Sequence, residues 1–213
     1  MKKFILLLVA AVAALPCPGS EPGKNVRKTD VIDPSDPFRY EVRVGWGGYP
    51  LFDDIYLNPY NEDVGIYYGY GDRPLSSLYD DYSGPVYMTG VISAEFCFIL
   101  KKWLTLSVGL NFNGIWGNTY DGETSAFLRR DSGISMTLLP QVRFTYKTGR
   151  YFKLYSAVGL GVTYGTFRDK RIVSPCLHFV PFGLTAGRKV YGFAEMGVGM
   201  LITGYNVGVG VRF

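Results

Sequence analysis

The sequence predicts an all-β fold, an eight-stranded antiparallel up-and-down transmembrane β-barrel. Three observations carry the prediction: apolar and polar residues alternate with period two in eight segments, the connections alternate between short and long, and aromatic residues gather toward both ends of the strands. The chain has 213 residues, 47% of them hydrophobic, and a mean hydropathy of +0.08. That length suits one domain. After residue 20 no run approaches the roughly 18 uninterrupted apolar residues that a membrane helix needs, so a helical membrane protein is excluded.

Residues 1–20 read as a secretory signal peptide. Lys2-Lys3 form the positive end, Phe4 to Ala14 the apolar run, and Ala11-Val12-Ala13 the small-residue pattern, with cleavage expected between 13 and 20. Cys17 offers an alternative processing point as a lipid-attachment cysteine, but Pro16 stands where lipoprotein signals want a small residue. Loss of Lys2 and Lys3 lowers the formal charge from +4 to +2, too little to argue for nucleic acid. Residues 21–37, with Lys24, Arg27, Lys28 and Asp33-Pro34-Ser35-Asp36-Pro37, read as a flexible N-terminal segment on the periplasmic side.

The barrel is expected over 38–213. In the first strand Phe38, Tyr40, Val42, Val44 and Trp46 oppose Arg39, Glu41, Arg43, Gly45 and Gly47. The period returns at 86–98, 103–116, 133–146, 151–166 and 205–213, while 176–187 and 190–201 are hard to phase because Pro181, Gly183, Gly192, Gly197 and Gly199 interrupt them. The connections 99–102, 147–150 and 187–189 are tight, and 203–204 is short at the other end. Connections 48–85, 117–132 and 167–175 read as long polar loops. Short turns mark the periplasmic end of an outer-membrane barrel and long loops the extracellular end. Two aromatic belts follow: Phe38, Phe98, Trp103, Tyr146, Phe152, Tyr191 and Phe213 at the turn end, and Trp46, Trp116, Tyr164 and Tyr205 at the loop end.

On this strand count, loop asymmetry and the terminal run Tyr205-x-Val207-x-Val209-x-Val211-x-Phe213, the chain resembles the small eight-stranded outer-membrane barrels of the OmpX and OmpA-transmembrane type. The resemblance covers Phe38 to Phe213. It implies outer-membrane localisation, a lipid environment, and reading of the last strand, with Phe213 at its end, by the outer-membrane insertion machinery. A soluble eight-stranded ligand barrel or sandwich would turn its apolar face inward. The opposite face, rich in charge and glycine, suits a narrow lumen better than a solvated exterior.

Strand phases bring Arg39, Glu41, Arg43, Glu95, Arg143, Lys153, Glu195 and Arg212 into the turn-end half of the lumen as a polar network, expected to pair and plug it because isolated charges there are costly to desolvate. Inward glycines at 45, 47, 159, 161, 165 and 199 leave room above it, either for aromatics folding in from loop 48–85 or for a shallow pocket open to the outside. That loop interleaves eight tyrosines with Asp53, Asp54, Glu62, Asp63, Asp72, Asp80 and Asp81, which suits either recognition of an extracellular ligand or self-packing over the mouth.

No cofactor is expected. Asp53-Asp54 and Asp80-Asp81 lack EF-hand spacing, and the Gly197–Gly199 and Gly208–Gly210 runs precede no helix, as a phosphate loop would require. His178 is the single histidine. Ser174 is its only local nucleophile candidate, and His178 reads as an interfacial residue near the membrane surface. Cys97 and Cys176 fall at opposite strand ends, too far apart for a disulfide, which needs Cα atoms within about 7 Å. The expectation is a non-enzymatic outer-membrane barrel presenting loops for binding, adhesion or envelope integrity. The alternatives are a lipid-modifying hydrolase and a narrow channel.

Overall fold

The computed structural model describes residues 38–58, 81–149 and 151–213. The expected signal peptide, the segment 21–37, Cys17 and positions 59–80 of the long loop lie outside these residues. Nine strand segments are present: β1 (Tyr40–Tyr49), β2 (Tyr82–Met88), β3 (Val91–Lys101), β4 (Leu104–Tyr120), β5 (Phe127–Thr148), β6 (Phe152–Phe167), β7 (Lys170–Gly187), β8 (Val190–Gly199) and β9 (Thr203–Arg212). Both β2 and β3 pair with β4, and they are separated only by Thr89 and Gly90, where Gly90 takes φ +77°. They are two parts of one barrel strand, so nine segments make eight strands.

All pairings are antiparallel. β1 joins β9 through Glu41↔Arg212 to Tyr49↔Thr203, and β4 joins β5, which closes the ring. β1, β8 and β9 have ten residues each, whereas β5 has 22. At ~3.3 Å per residue, β5 is roughly twice as long as these three. The wall is therefore tall along β4 to β7 and low along β8, β9 and β1.

This height corrects two loop assignments. Residues 117–132 and 167–175, expected as long loops, are mostly strand, and the actual turns are Asp121–Ala126 and Arg168–Asp169. Alternation there runs through Asn118, Thr119, Arg130, Asp131 and Ser132, polar on both faces, so it produces no contrast that a hydrophobic period could reveal. Asp121 closes its turn by accepting hydrogen bonds from the amides of Glu123 (3.2 Å) and Thr124 (2.7 Å).

The difficulty in phasing 176–187 also has a structural cause. Register passes from Tyr155↔Gly183 to Ala157↔Val180, so Pro181 and Phe182 oppose the single residue Ser156. This is a β-bulge, the arrangement that admits proline within a sheet. Ser156 Oγ donates to the Pro181 carbonyl at 2.7 Å. Cys176, His178 and Val180 face inward before the bulge, and Gly183 and Thr185 after it, so the inward set moves from even to odd positions.

The faces are as alternation demands. Val42, Val44, Leu110, Leu138, Leu160, Val162, Leu177 and Val209 are exposed on the exterior. Tyr205, Val207, Val209, Val211 and Phe213 all point outward, Tyr205 being 73% exposed. The interior holds the buried polar residues and two small apolar clusters.

Candidate functional site

The polar network in the turn-end half of the lumen is built from side chains directed inward by seven strands, β1, β3 and β5 to β9. Arg43 and Glu95 are register partners on β1 and β3, which places guanidinium and carboxylate opposite each other. Arg43 donates twice to Glu95, Nε to Oε2 at 2.9 Å and Nη2 to Oε1 at 2.8 Å. Its Nη1 lies 2.7 Å from Glu195 Oε1 and 3.0 Å from Tyr155 Oη, which itself donates to Glu195 at 2.7 Å. Glu41 takes Arg143 on one oxygen and Arg212 Nε on the other at 3.0 Å. Gln141 donates to Glu95 at 2.7 Å, and Arg212 donates to Thr185 Oγ1 at 3.1 Å. Three arginines and three glutamates, all buried, thus form one neutral assembly.

Each arginine also lies over an aromatic ring: Arg212 over Tyr191 at 3.9 Å, Arg43 over Phe193 at 4.7 Å and Arg143 over Tyr155 at 4.8 Å. Inward glycines make room for these rings. A Cβ at Gly183 would come within 2.3 Å of the Tyr155 ring, and one at Gly210 within 2.4 Å of Tyr191. Of the expected network, Glu41, Arg43, Glu95, Arg143, Glu195 and Arg212 are brought together. Arg39 is not enclosed; it is exposed at the rim, one inward step beyond Glu41, where the barrel ends and water reaches it. Lys153 is half-buried and lines a small turn-end cavity with Glu41, Thr105, Arg143, Tyr155 and Arg212.

Tyr191 corrects the turn-end belt. It is 2% exposed and faces the lumen, because the glycine-rich β8 puts Tyr191, Phe193, Glu195 and Gly197 inside. Two further members, Gln141 on β5 and Asn206 on β9, lie on inward phases; nothing in the sequence marks Asn206 out among the terminal glycines. Asn206 is register partner to Glu195 and donates to it at 3.4 Å.

The loop-end half is closed differently. At the end of β1 the chain turns inward at Gly48, whose φ of +68° and contact with Ile202 admit only glycine. It then forms α1 (Leu51–Tyr56), a short helix held inside the barrel. Phe52 and Leu57 pack with Ile115 and Phe167, while Leu201 and Ile202, from the β8–β9 connection, pack with Val91, Leu139 and Cys176. The space above the network is filled, in part by an aromatic of the long loop as one of the two readings expected. Gly165 is the socket, since a Cβ there would lie 2.7 Å from Leu57 Cδ1 and 2.9 Å from Phe52 Cε1. Gly165→Val should therefore displace α1 while the ladder persists. The expected result is faster proteolysis near residues 51–57 with the barrel still resistant; unchanged cleavage would show that α1 is not held by this socket.

Two carboxylates of α1, Asp53 and Asp54, are buried in this cap; Asp54 accepts from Asn58 Nδ2 at 2.8 Å, and Asp53 reaches across to the wall. Asp53 Oδ2 accepts from Asn113 Nδ2 and Ser135 Oγ, both at 2.7 Å, and its Oδ1 is buried with no hydrogen-bond partner among the described residues. Burial pushes its pKa up to about 6, against the opposing pull of the Ser135 and Asn113 hydrogen bonds. Above the cap, Arg168 ties Asp131 (2.6 Å), Thr119 (2.6 Å) and Ser83 (2.8 Å) together on the inner face of the tall wall.

The structure also corrects the placement of His178. It is 5% exposed and faces the lumen, its ring against Gly197, so it is not an interfacial residue. Ser174 lies four residues along the same strand, about 13 Å away, beyond hydrogen-bond reach. Cys97 and Cys176 are both buried and free, Cys97 beside Arg143 and Cys176 in the upper apolar cluster. No protein-family model, curated protein or solved structure matches this chain.

Proposed function

We propose that the chain is a non-enzymatic outer-membrane barrel whose permanently filled lumen makes it a scaffold, with the loop-end surface presented outward for binding, adhesion or envelope integrity. The observation that carries this reading is the inversion of polarity: large apolar side chains cover the exterior, while charge is confined to the interior and balanced there. In water that exterior would be a continuous apolar patch far larger than soluble monomers expose. The ten-residue β1, β8 and β9 match the 9–11 residues of a tilted membrane strand. Stacked or edge-on pairs such as Tyr87–Trp116 at the loop end and Trp103–Phe144 at the turn end supply the two belts. The expected signal peptide and the resemblance to small outer-membrane barrels agree with it.

The channel alternative meets a lumen blocked twice, by the ion-pair assembly and by the α1 cap. The hydrolase alternative lacks a Ser–His pair within reach among the described residues. Surface labelling of intact cells tests the orientation. A tag at Glu123, in the β4–β5 turn, is expected to be labelled and one at Gly149, in the β5–β6 turn, to be protected. Labelling at Gly149 alone would reverse the orientation, and recovery of the protein in a soluble fraction would refute the membrane reading.

A further inference from the structure

Charge is distributed unequally between the two ends of the barrel. In the turn-end half every described acid, Glu41, Glu95 and Glu195, is buried and tied to an arginine. The surface there carries Arg39 at the foot of β1, Lys101 at the β3–β4 turn, Lys147 at the β5–β6 turn, and Arg188 and Lys189 at the β7–β8 turn. No exposed Asp or Glu stands among the described residues of that half. The opposite end mixes both signs, with Asp81, Asp121, Glu123 and Asp169 beside Arg129, Arg130 and Arg171.

The placement of these cations matters more than their number. They sit at four points around the circumference, two strands apart, and so form a ring at the rim. Lys101 Nζ lies 5.4 Å from the centre of the Trp103 ring, which stacks on Phe144 outside the barrel, and Lys147 Nζ lies 5.9 Å from that of Phe152. An aromatic at the interface with an ammonium group just beyond it sets that ammonium at the depth of lipid phosphates.

We propose that this ring is a lipid-selecting collar: the turn end recognises anionic phospholipid headgroups of the phosphatidylglycerol class in preference to zwitterionic ones. This rests on the membrane reading above. A soluble polyanion would be met by cations gathered over the mouth. Cations spread around the wall beside belt aromatics meet the phosphates of annular lipid instead. Positive charge within a Debye length, about 8–10 Å, of an anionic headgroup attracts it, and salt weakens the attraction.

The test uses the full-length mature protein inserted in phosphatidylcholine vesicles, with spin-labelled phosphatidylglycerol or phosphatidylcholine added as probe. Electron spin resonance reads the fraction of each probe immobilised at the protein surface. Wild type is expected to prefer phosphatidylglycerol by about two- to fourfold, with the preference falling toward one in 1 M NaCl. The variant Lys101→Gln, Lys147→Gln, Arg188→Gln, Lys189→Gln should show almost none, and Arg129→Gln, Arg130→Gln, Arg171→Gln at the other end should retain it. Equal immobilisation of both probes by wild type overturns the proposal, as does a preference that survives the quadruple change or vanishes with the triple one. The salt series on wild type keeps the test decisive if a variant inserts poorly. Immobilisation of neither probe would instead refute the membrane reading itself.

Discussion

Glu95→Ala is expected to lower the urea unfolding midpoint of the inserted barrel by the largest margin of any single carboxylate. Glu95 accepts both Arg43 hydrogen bonds and the one from Gln141, and Arg143 Nη2 lies 3.6 Å away. Its removal leaves three glutamates reduced to two against three buried arginines. Breaking a buried pair by deleting one partner costs on the order of 3–5 kcal/mol, because the remaining charge is left desolvated and unpaired. The lumen side chains have little freedom to adjust, since Arg43 is also fixed by Tyr155 and covered by Phe193. Glu123→Ala, in an exposed turn, should change the midpoint by no more than about 0.5 kcal/mol. Bilayer recordings complete the experiment: wild type should be electrically silent at moderate salt. Steady wild-type channels, with a Glu95→Ala variant altered in ion selectivity but not in stability, would sink the structural role of the assembly.

Asp53→Asn should change how the cap responds to pH. Burial raises the Asp53 pKa from 3.8 to about 6 in the folded chain, so the folded state holds a proton that the unfolded state has already released. The sign follows directly: stability contributed by this site is full below about pH 3.8, declines as pH rises to about 6, and is constant above it. The interval corresponds to roughly 3 kcal/mol as an upper value. Asparagine keeps an acceptor for Asn113 and Ser135 but cannot ionise. The variant should therefore lose the pH dependence between 4 and 6 and hold α1 more firmly at pH 7. Hydrogen exchange of the Leu51–Leu57 amides, corrected for intrinsic rates, reads this directly. Identical pH slopes in wild type and variant would show that Asp53 does not titrate within the cap.

The parts of the fold that the sequence makes legible are those where the two faces of a strand differ in polarity. β1, the middle of β4 and β5, and β9 have an apolar outside and a polar or glycine inside, and their phases agree with the structure residue by residue. The same contrast locates Glu41, Arg43, Glu95, Arg143 and Arg212, while Glu195 lies on the glycine-interrupted β8. The contrast disappears at the top of β4 and β5, where Arg130 outside and Asp131 inside are equally polar, so strand reads as loop. At Pro181 the contrast survives but its phase slips by one. Tyr191 reads as a belt residue for a related reason, since an aromatic near a strand end suits lipid and lumen alike until neighbouring glycines are known to form its socket. α1 has six residues, too few to display a helical period, and Asp53 within it looks like one member of an acidic surface pair.

The ion-pair assembly belongs entirely to the strands, whereas the α1 cap hangs on a connection. The two closures are therefore mechanically independent: lifting the cap would open a blind cup with a charged floor, not a hole through the wall. The loops at that end can then change, be shed to proteases or be exchanged for foreign segments without opening the lumen. On the outer-membrane reading proposed above, such a barrel would separate the task of keeping the envelope sealed from the task of varying what it displays.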